Sequence, residues 1–198
     1  QVVFHQWRFL IFGLIFTVSS SLGQTFFISL FIPSITADYD LTTTDFANYY
    51  ALITVGSALL LPVVGRWIDK IDLAVYAAGV CVVMLSATGL IYLDFGPLGL
   101  IFSILLIRLC GQGLMSHISL TSLARYYTQQ RGRILAIVSM GHPLSESFMP
   151  MLGLSLIQAW SWRSTYLFFG LIVAFVLYPI AYILIRDRAE FRKLPPLD

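Results

Sequence analysis

The sequence contains six long apolar stretches that are separated by short polar connections. A helix needs about 20 apolar residues to cross the hydrocarbon core of a bilayer, which is about 30 Å thick. The six predicted spans are residues 9–31, 46–64, 73–93, 98–123, 134–157 and 165–185. Because each apolar stretch is continuous and does not alternate, the spans are expected to be helices. The expected fold is therefore an all-α, polytopic membrane protein with six transmembrane helices.

The amino-acid composition excludes several other classes of protein. Only 11% of the residues are charged, whereas a soluble domain has about 25%. The chain has 12 Lys and Arg against 10 Asp and Glu, and the net charge of +2 is too small for a nucleic-acid-binding protein. Cys81 and Cys110 lie inside apolar stretches and do not indicate a disulfide scaffold. We therefore expect the lipid bilayer, and no nucleic acid, as a partner.

The distribution of basic residues predicts how the chain is oriented in the membrane. If the N-terminus lies in the cytosol, ten of the 12 basic residues fall on the cytoplasmic side. These residues are Arg8, Arg66, Lys70, Arg125, Arg131, Arg133, Arg186, Arg188, Arg192 and Lys193. Cytoplasmic loops are rich in Lys and Arg, so the pattern predicts that both termini are cytoplasmic. The expected location is the plasma (inner) membrane.

Two ionisable residues remain inside the predicted spans, Arg108 in the fourth and Glu146 in the fifth. A charge at the centre of a bilayer costs about 2.5–3.5 kcal/mol on insertion scales, and such residues usually have a function. We therefore expect both residues to bind a solute or a proton. The alternative is a structural ion pair that only holds two helices together.

Polar residues follow helical periodicity in three of the predicted spans. Arg108 and Gln112 lie on one face of the fourth span, and His142 and Glu146 lie on one face of the fifth. Gln24 belongs to a third polar face, in the first span. The three faces predict a shared polar interior. Small hydroxyl residues on these faces are alternatively packing contacts, and His142 is alternatively a structural histidine.

The loop after the second span carries a motif. Residues 65–70 read Gly-Arg-Trp-Ile-Asp-Lys. They resemble the signature Gly-x-x-x-Asp-Arg/Lys-x-Gly-x-Arg/Lys-Arg/Lys of the major facilitator superfamily, with matches at Gly65, Asp69 and Lys70. Asp72 replaces the second glycine of the signature, and the final basic pair is absent. The resemblance implies that the three matching residues belong to a cytoplasmic gate.

Two further segments agree with this family resemblance. Arg108, followed by Gly-Gln-Gly at 111–113, is similar to the arginine motif of the family's fourth span, and residues 126–150 loosely resemble its monocarboxylate-transporter-like branch. The resemblance implies that residues 1–185 form one half of a twelve-helix transporter, built from two inverted three-helix repeats. Residues 186–198 are then expected to begin the cytoplasmic linker to a second half.

The resemblance implies a secondary transporter that works by alternating access, and the polar residues narrow the choice of solute. Arg108 suits an organic anion. Glu146 is expected to carry a coupling proton, because a carboxyl group in an apolar environment holds its proton more tightly. Gln24, Gln112 and His142 are expected to complete the site. The predicted function is proton-coupled symport of a small organic anion, with no cofactor and no metal.

Three alternatives stand beside this prediction. A drug or metabolite efflux antiporter is disfavoured because the fifth span lacks the Gly-Pro-x-x-Gly-Gly pattern of such proteins. An intramembrane enzyme is disfavoured because the sequence contains neither Gly-x-Ser-Gly nor His-Glu-x-x-His. The third alternative is an isolated half that only binds or assembles, for instance as a homodimer. Since six helices cannot enclose an alternating-access path alone, a transporting half needs a second half.

Overall fold

In the computed structural model, which describes residues 7–187, all regular structure is helical. Within these residues, five helices are long and apolar enough to cross a membrane: α1 (Trp7–Ser29), α2 (Thr43–Asp69), α3 (Leu73–Leu93), α4 (Gly96–Tyr126) and α6 (Trp162–Ile185). Two consecutive pieces, Arg131–Ser139 and Gly141–Ala159, together form α5. A short helix, Ile32–Asp38, follows α1. The prediction of an all-helical membrane fold is confirmed.

Helix α5 is not one of the five apolar helices, because its middle is polar. Residues 139–147 read Ser-Met-Gly-His-Pro-Leu-Ser-Glu-Ser. The sixth membrane crossing therefore stays a prediction, as does the orientation of the chain. Residues 1–6 of the predicted transporter half (1–185) and residues 188–198 of the predicted linker (186–198) lie outside the described residues. Three of the ten basic residues that predict the orientation of the chain also lie outside the described residues: Arg188, Arg192 and Lys193.

The helices begin and end where polar groups cap the backbone or the chain can turn. At the start of α2, Thr42 Oγ1 accepts a hydrogen bond from the backbone N–H of Asp45 (3.1 Å), and Asp45 Oδ2 accepts one from the N–H of Thr42 (3.0 Å). Asp72, which replaces the glycine of the motif, accepts a backbone hydrogen bond in the first turn of α3 (2.9 Å). Asp94 and Gly96 have positive φ angles of 53° and 75°, which allow a tight turn into α4.

Helices α1 and α4 both lose α-helical geometry where they cross. In α1, a 3₁₀ turn at Ser20–Gly23 is followed by Gln24, whose backbone is extended (φ −82°, ψ 153°). In α4, the segment Leu109–Met115 is π-helical. The two irregular segments pack against each other. Single-turn departures of this kind are frequent at functional sites, so the crossing is where a site is expected.

Helices α1 and α4 form the centre of the bundle. Helix α5 packs along α1, helix α2 packs along α4, and α3 packs against α6. The outward face of α2 carries large apolar side chains such as Leu52 and Leu59, which are each 71% exposed. Such a surface suits contact with lipid. Gln24 of α1 and Arg108 of α4 lie instead at the ends of the two irregular segments, and His142 of α5 is hydrogen-bonded to Gln24.

Candidate functional site

Arg108 is held by two hydroxyl groups from two other helices. It is the last residue before the π-helical segment of α4, and it is 8% exposed. Its Nη1 donates hydrogen bonds to Thr25 Oγ1 in α1 (3.2 Å) and to the hydroxyl oxygen of Tyr50 in α2. The Tyr50 hydroxyl donates in turn to Thr25 Oγ1 (3.0 Å). The guanidinium carbon also lies 4.8 Å from the centre of the Tyr50 ring, within the range of a cation–π interaction.

The positive charge of Arg108 has no carboxylate partner among residues 7–187. The ion pairs in this part of the chain join other side chains, and neither Arg108 nor Glu146 takes part in them. Glu146 is exposed on α5. The predicted alternative of a structural ion pair between these two residues is therefore wrong for the described structure. A buried cation that contacts only neutral groups favours the binding of an anion.

A cavity of about 270 Å³ lies beside Arg108, between α2 and α4. Its polar lining comprises Thr54 and Ser57 from α2 and Arg108 and Gln112 from α4. The remaining lining residues are Ala58, Leu61, Leu109 and Gly113. Only Nη1 of Arg108 is used by protein partners within the described residues. The other guanidinium donors are thus left for a ligand, at the edge of a space that fits a small solute.

A second polar group joins α1 to α5. Gln24 Nε2 donates a hydrogen bond to His142 Nδ1 (3.0 Å), and Ser20 Oγ lies 3.3 Å from the same nitrogen. The Ser20 hydroxyl donates to the backbone carbonyl of Thr17 (2.6 Å), so its hydrogen is already used. In this orientation of the Gln24 amide its nitrogen can only donate, so His142 Nδ1 accepts and the imidazole is neutral with its proton on Nε2. Glu146 lies one helical turn further along α5.

The two polar groups lie on either side of a backbone contact between Gly23 and Gly111. A Cβ atom added to Gly111 would lie 2.5 Å from Gly23 N and 2.7 Å from Gly23 Cα, so no side chain fits at either position. Each of these glycines is followed directly by a glutamine, Gln24 in α1 and Gln112 in α4. Gln24 therefore directly follows the backbone contact in α1, where it contacts His142, and Gln112 directly follows it in α4, where it lines the cavity beside Arg108.

The predicted site residues divide into three sets. Arg108 and Gln112 line one cavity, Gln24 and His142 are hydrogen-bonded to each other, and Glu146 is exposed without contacting Arg108. Tyr50 and Thr25, the partners of Arg108, were not among the predicted site residues. No spacing rule relates a residue of one helix to its partner on another, so the sequence carried no direct signal for them.

The motif residues lie elsewhere, at the end of α2. Asp69 Oδ1 pairs with Arg125 Nη2 at the end of α4 (2.5 Å). Gly65, Asp69, His117 and Arg125 help to line a separate cavity of about 350 Å³. Lys70 is exposed directly after Asp69. Sequence reasoning missed Arg125 as the partner of Asp69, although both residues end neighbouring helices at the same predicted membrane surface.

A third polar group ties together the opposite end of the bundle. Arg163 donates hydrogen bonds to Asp38 and to Asp94 (3.0 Å for Nη2 to Asp94 Oδ2). Tyr39 donates to Asp94 Oδ1 (2.5 Å), and Trp162 Nε1 donates to Asp38 Oδ2 (2.7 Å). The Tyr39 hydrogen bond and the Arg163 charge lower the pKa of Asp94. These contacts join the short helix after α1, the α3–α4 turn and the start of α6.

Comparison with known proteins adds one finding. The sequence matches the family described as Major Facilitator Superfamily over residues 13–197, which is nearly the whole chain. No curated protein matches it. Within residues 7–187, no group of His, Cys, Asp and Glu is arranged to hold a metal ion.

Proposed function

The chain belongs to the Major Facilitator Superfamily, whose members are membrane transporters of small solutes rather than enzymes, and on this premise we propose that it is half of a proton-coupled symporter for a small organic anion. It is an integral, multi-pass membrane protein. The observation that carries the proposal is the buried Arg108 guanidinium, which contacts hydroxyl groups and no carboxylate among the described residues.

The surroundings of Arg108 favour a carboxylate or a similar anion as the solute. Tyr50 and Thr25 hold one end of the guanidinium, which leaves its remaining donors in the arrangement that binds a planar carboxylate. Gln112 adds an amide that can bind a second oxygen atom of the solute. The proton is carried by a titratable group of α5, either His142 or Glu146.

Helix α5 is the sixth crossing in this proposal. Its residues 131–159 are long enough to span a bilayer at about 1.5 Å per residue. Its polar middle is tolerable there because His142 is satisfied by Gln24 of α1, and polar groups in a span usually face other helices. The packing of α5 on α1 and of α2 on α4 supports two inverted three-helix repeats.

A second half completes the transport path. Gln112 and Glu146 are exposed on this half, and both would be costly to leave against lipid. A covalently linked second half or a second copy of this chain would cover them. Gly65, Asp69 and Lys70 would then act at the cytoplasmic gate, where the Asp69–Arg125 ion pair joins α2 to α4. Both termini would be cytoplasmic, in the plasma membrane.

The proposal is tested by uptake into proteoliposomes that contain the full-length protein. The solutes are radiolabelled acetate, L-lactate and pyruvate, each with and without an inward proton gradient. Removing one partner of a buried charge pair costs about 2–5 kcal/mol, so we expect Arg108→Gln to weaken anion binding by at least about 30-fold. Arg133→Gln, which changes an exposed arginine, is the matched control and should transport normally.

Two results would contradict the proposal. One is the absence of saturable uptake of all three anions by the unmodified protein. The other is an Arg108→Gln variant that binds the anions as tightly as the unmodified protein does. A proton gradient that leaves uptake unchanged would refute the coupling alone, and it would leave the anion site standing.

A further inference from the structure

The neutral state of His142 depends on the orientation of one amide group. His142 Nδ1 accepts a hydrogen bond from Gln24 Nε2. If Nδ1 acquired a proton, two donors would face each other at 3.0 Å. The Gln24 amide would then have to turn and present its oxygen, while Ser20 Oγ, 3.3 Å from Nδ1, could also accept. The charge on His142 and the orientation of Gln24 are therefore linked.

Gln24 occupies a position from which such a turn can be transmitted. It is the extended residue at the break in α1, where the 3₁₀ turn ends and Thr25 begins the next helical segment. Thr25 accepts hydrogen bonds from both Arg108 and Tyr50. Two adjacent residues of α1 thus contact the imidazole on one side and the guanidinium on the other.

We propose that His142 is the proton-binding residue of this transporter, and that its protonation turns the Gln24 amide and strengthens anion binding at Arg108 through Thr25. This inference rests on the proposed function and assigns the proton to His142 rather than to Glu146. An imidazole suits the role, because its ordinary pKa of about 6.5 lies within the physiological range. A positive charge on His142 also attracts the anion directly.

The other charged and titratable groups near this part of α5 do not offer an equivalent site. On the elements packed against Gly141–Ala159, and on that helix itself, they are Arg8, Arg131, Arg133, Glu146, Arg163 and Tyr166. Arg163 is bound to Asp38 and Asp94, and Tyr166 is buried against Phe31. Within the described residues, only Glu146 lies within one helical turn of His142. Glu146 is therefore the matched control in the experiment.

The test measures how pH changes anion affinity. The full-length protein is reconstituted, and binding of L-lactate, which stays ionised throughout, is measured at about pH 5.5 and about pH 8, on either side of the ordinary imidazole pKa. Coupling between two sites usually changes affinity by about 5- to 150-fold. We expect about tenfold tighter binding at the lower pH for the unmodified protein and for Glu146→Gln. His142→Gln should bind with the same affinity at both values.

A second variant and a spectroscopic measurement keep the test decisive if His142→Gln does not fold. Gln24→Leu removes the amide but not the imidazole, so the pH effect should become several-fold smaller. The ¹⁵N resonances of His142 should show a protonated Nε2 and a bare Nδ1 at the higher pH. The opposite tautomer would overturn the proposal.

The outcomes distinguish a failure of this inference from a failure of the proposed function. A His142→Gln variant with the unmodified protein's pH effect, or a Glu146→Gln variant without it, would overturn the assignment of the proton to His142. In both cases, a loss of anion binding in the Arg108→Gln variant would still support Arg108 as the anion-binding residue. If the unmodified protein binds no lactate, acetate or pyruvate, the proposed function fails instead.

Discussion

Replacing Gly23 by alanine is expected to destabilise the protein strongly, because α1 and α4 touch through their backbones at this residue. The added Cβ would lie 2.7 Å from Gln112 N and 2.8 Å from Gly111 Cα, and it would clash with the carbonyl oxygen of Ile107. All three obstacles are backbone atoms. No side-chain rotation can relieve the contact, so the helices themselves must separate.

The size of the effect follows from how far the helices must move. An ordinary contact of a Cβ atom begins at 3.4 Å, so the 2.7 Å approach to Gln112 N alone requires a shift of about 0.7 Å, and the closer Ile107 carbonyl oxygen requires more. Overpacking a well-packed site costs about 1–3 kcal/mol and occasionally more. We expect about 3 kcal/mol for Gly23→Ala, since the displaced atoms belong to the two central helices.

The chain offers a matched control in Gly79, which lies within α3. Apart from its two chain neighbours and the nearby backbone of its own helix, no atom lies within 4 Å of the position that its Cβ would take. Alanine is preferred over glycine in a helix interior by about 1 kcal/mol, so Gly79→Ala should be neutral or slightly stabilising. Gly111→Ala places its Cβ 2.5 Å from Gly23 N and should behave like Gly23→Ala.

The assay is reversible unfolding of the purified protein in mixed detergent micelles, with increasing denaturing detergent and helix content followed by circular dichroism. The free energies of unfolding of the variants are compared with that of the unmodified protein. Surface substitutions usually change the free energy of unfolding by no more than about 0.5 kcal/mol. If the free energies of unfolding of Gly23→Ala and Gly111→Ala both lie within this range of that of Gly79→Ala, the two helix backbones are not as close as described.

Two further predictions concern contacts away from the crossing. Gly170→Ala should be destabilising, because the added Cβ would clash with Thr88 Oγ1 and lie 3.0 Å from Thr88 Cβ. Adding Thr88→Ala should restore about 1–3 kcal/mol of the free energy of unfolding. If the double variant instead shows the sum of the two single losses, the two residues are not in contact. Tyr39 and Arg163 lower the pKa of Asp94. Their contacts with Asp94 should therefore stabilise the fold at pH values above the ordinary aspartate pKa of about 3.9. This stabilisation should be lost as the pH falls through the lowered pKa of Asp94. A series of melting temperatures against pH should therefore show a smaller acid-induced fall for Asp94→Asn, and an unchanged fall would refute the role of this carboxylate.

The positions of the helices could be predicted from the sequence because the membrane imposes their length. The predicted span 73–93 coincides with Leu73–Leu93, and the predicted span 165–185 lies within Trp162–Ile185. Helix α5 differs from the others. Its two pieces cover the predicted span 134–157, but its mean hydropathy is lower than that of the five apolar helices. His142 of this helix is hydrogen-bonded to Gln24 of α1, and a hydropathy sum over one segment does not include such a contact between two helices.

Helical periodicity worked less well along α4, because the π-helical segment Leu109–Met115 changes the number of residues per turn. Counting at α-helical spacing groups Ser119 with Arg108 and Gln112. Ser119 is instead fully buried and donates a hydrogen bond to the backbone carbonyl of Gly13 in α1 (2.8 Å). The alternative interpretation of such hydroxyl residues, as packing contacts, is correct for this residue.

The crossing of α1 and α4 explains why one short sequence pattern gives two different polar groups. Gly-Gln occurs at 23–24 in α1 and at 111–112 in α4, and each glycine allows the backbone contact that the other one needs. Three residues before each glycine, however, the side chains differ: Ser20 lies beside the imidazole of His142, whereas Arg108 brings a charge to the cavity. A 3₁₀ turn in α1 and a π-helical segment in α4 thus cross, with a neutral, titratable imidazole beside Gln24 and a permanent cation at Arg108. In the proposed function, the cation binds the anion and the imidazole binds the proton.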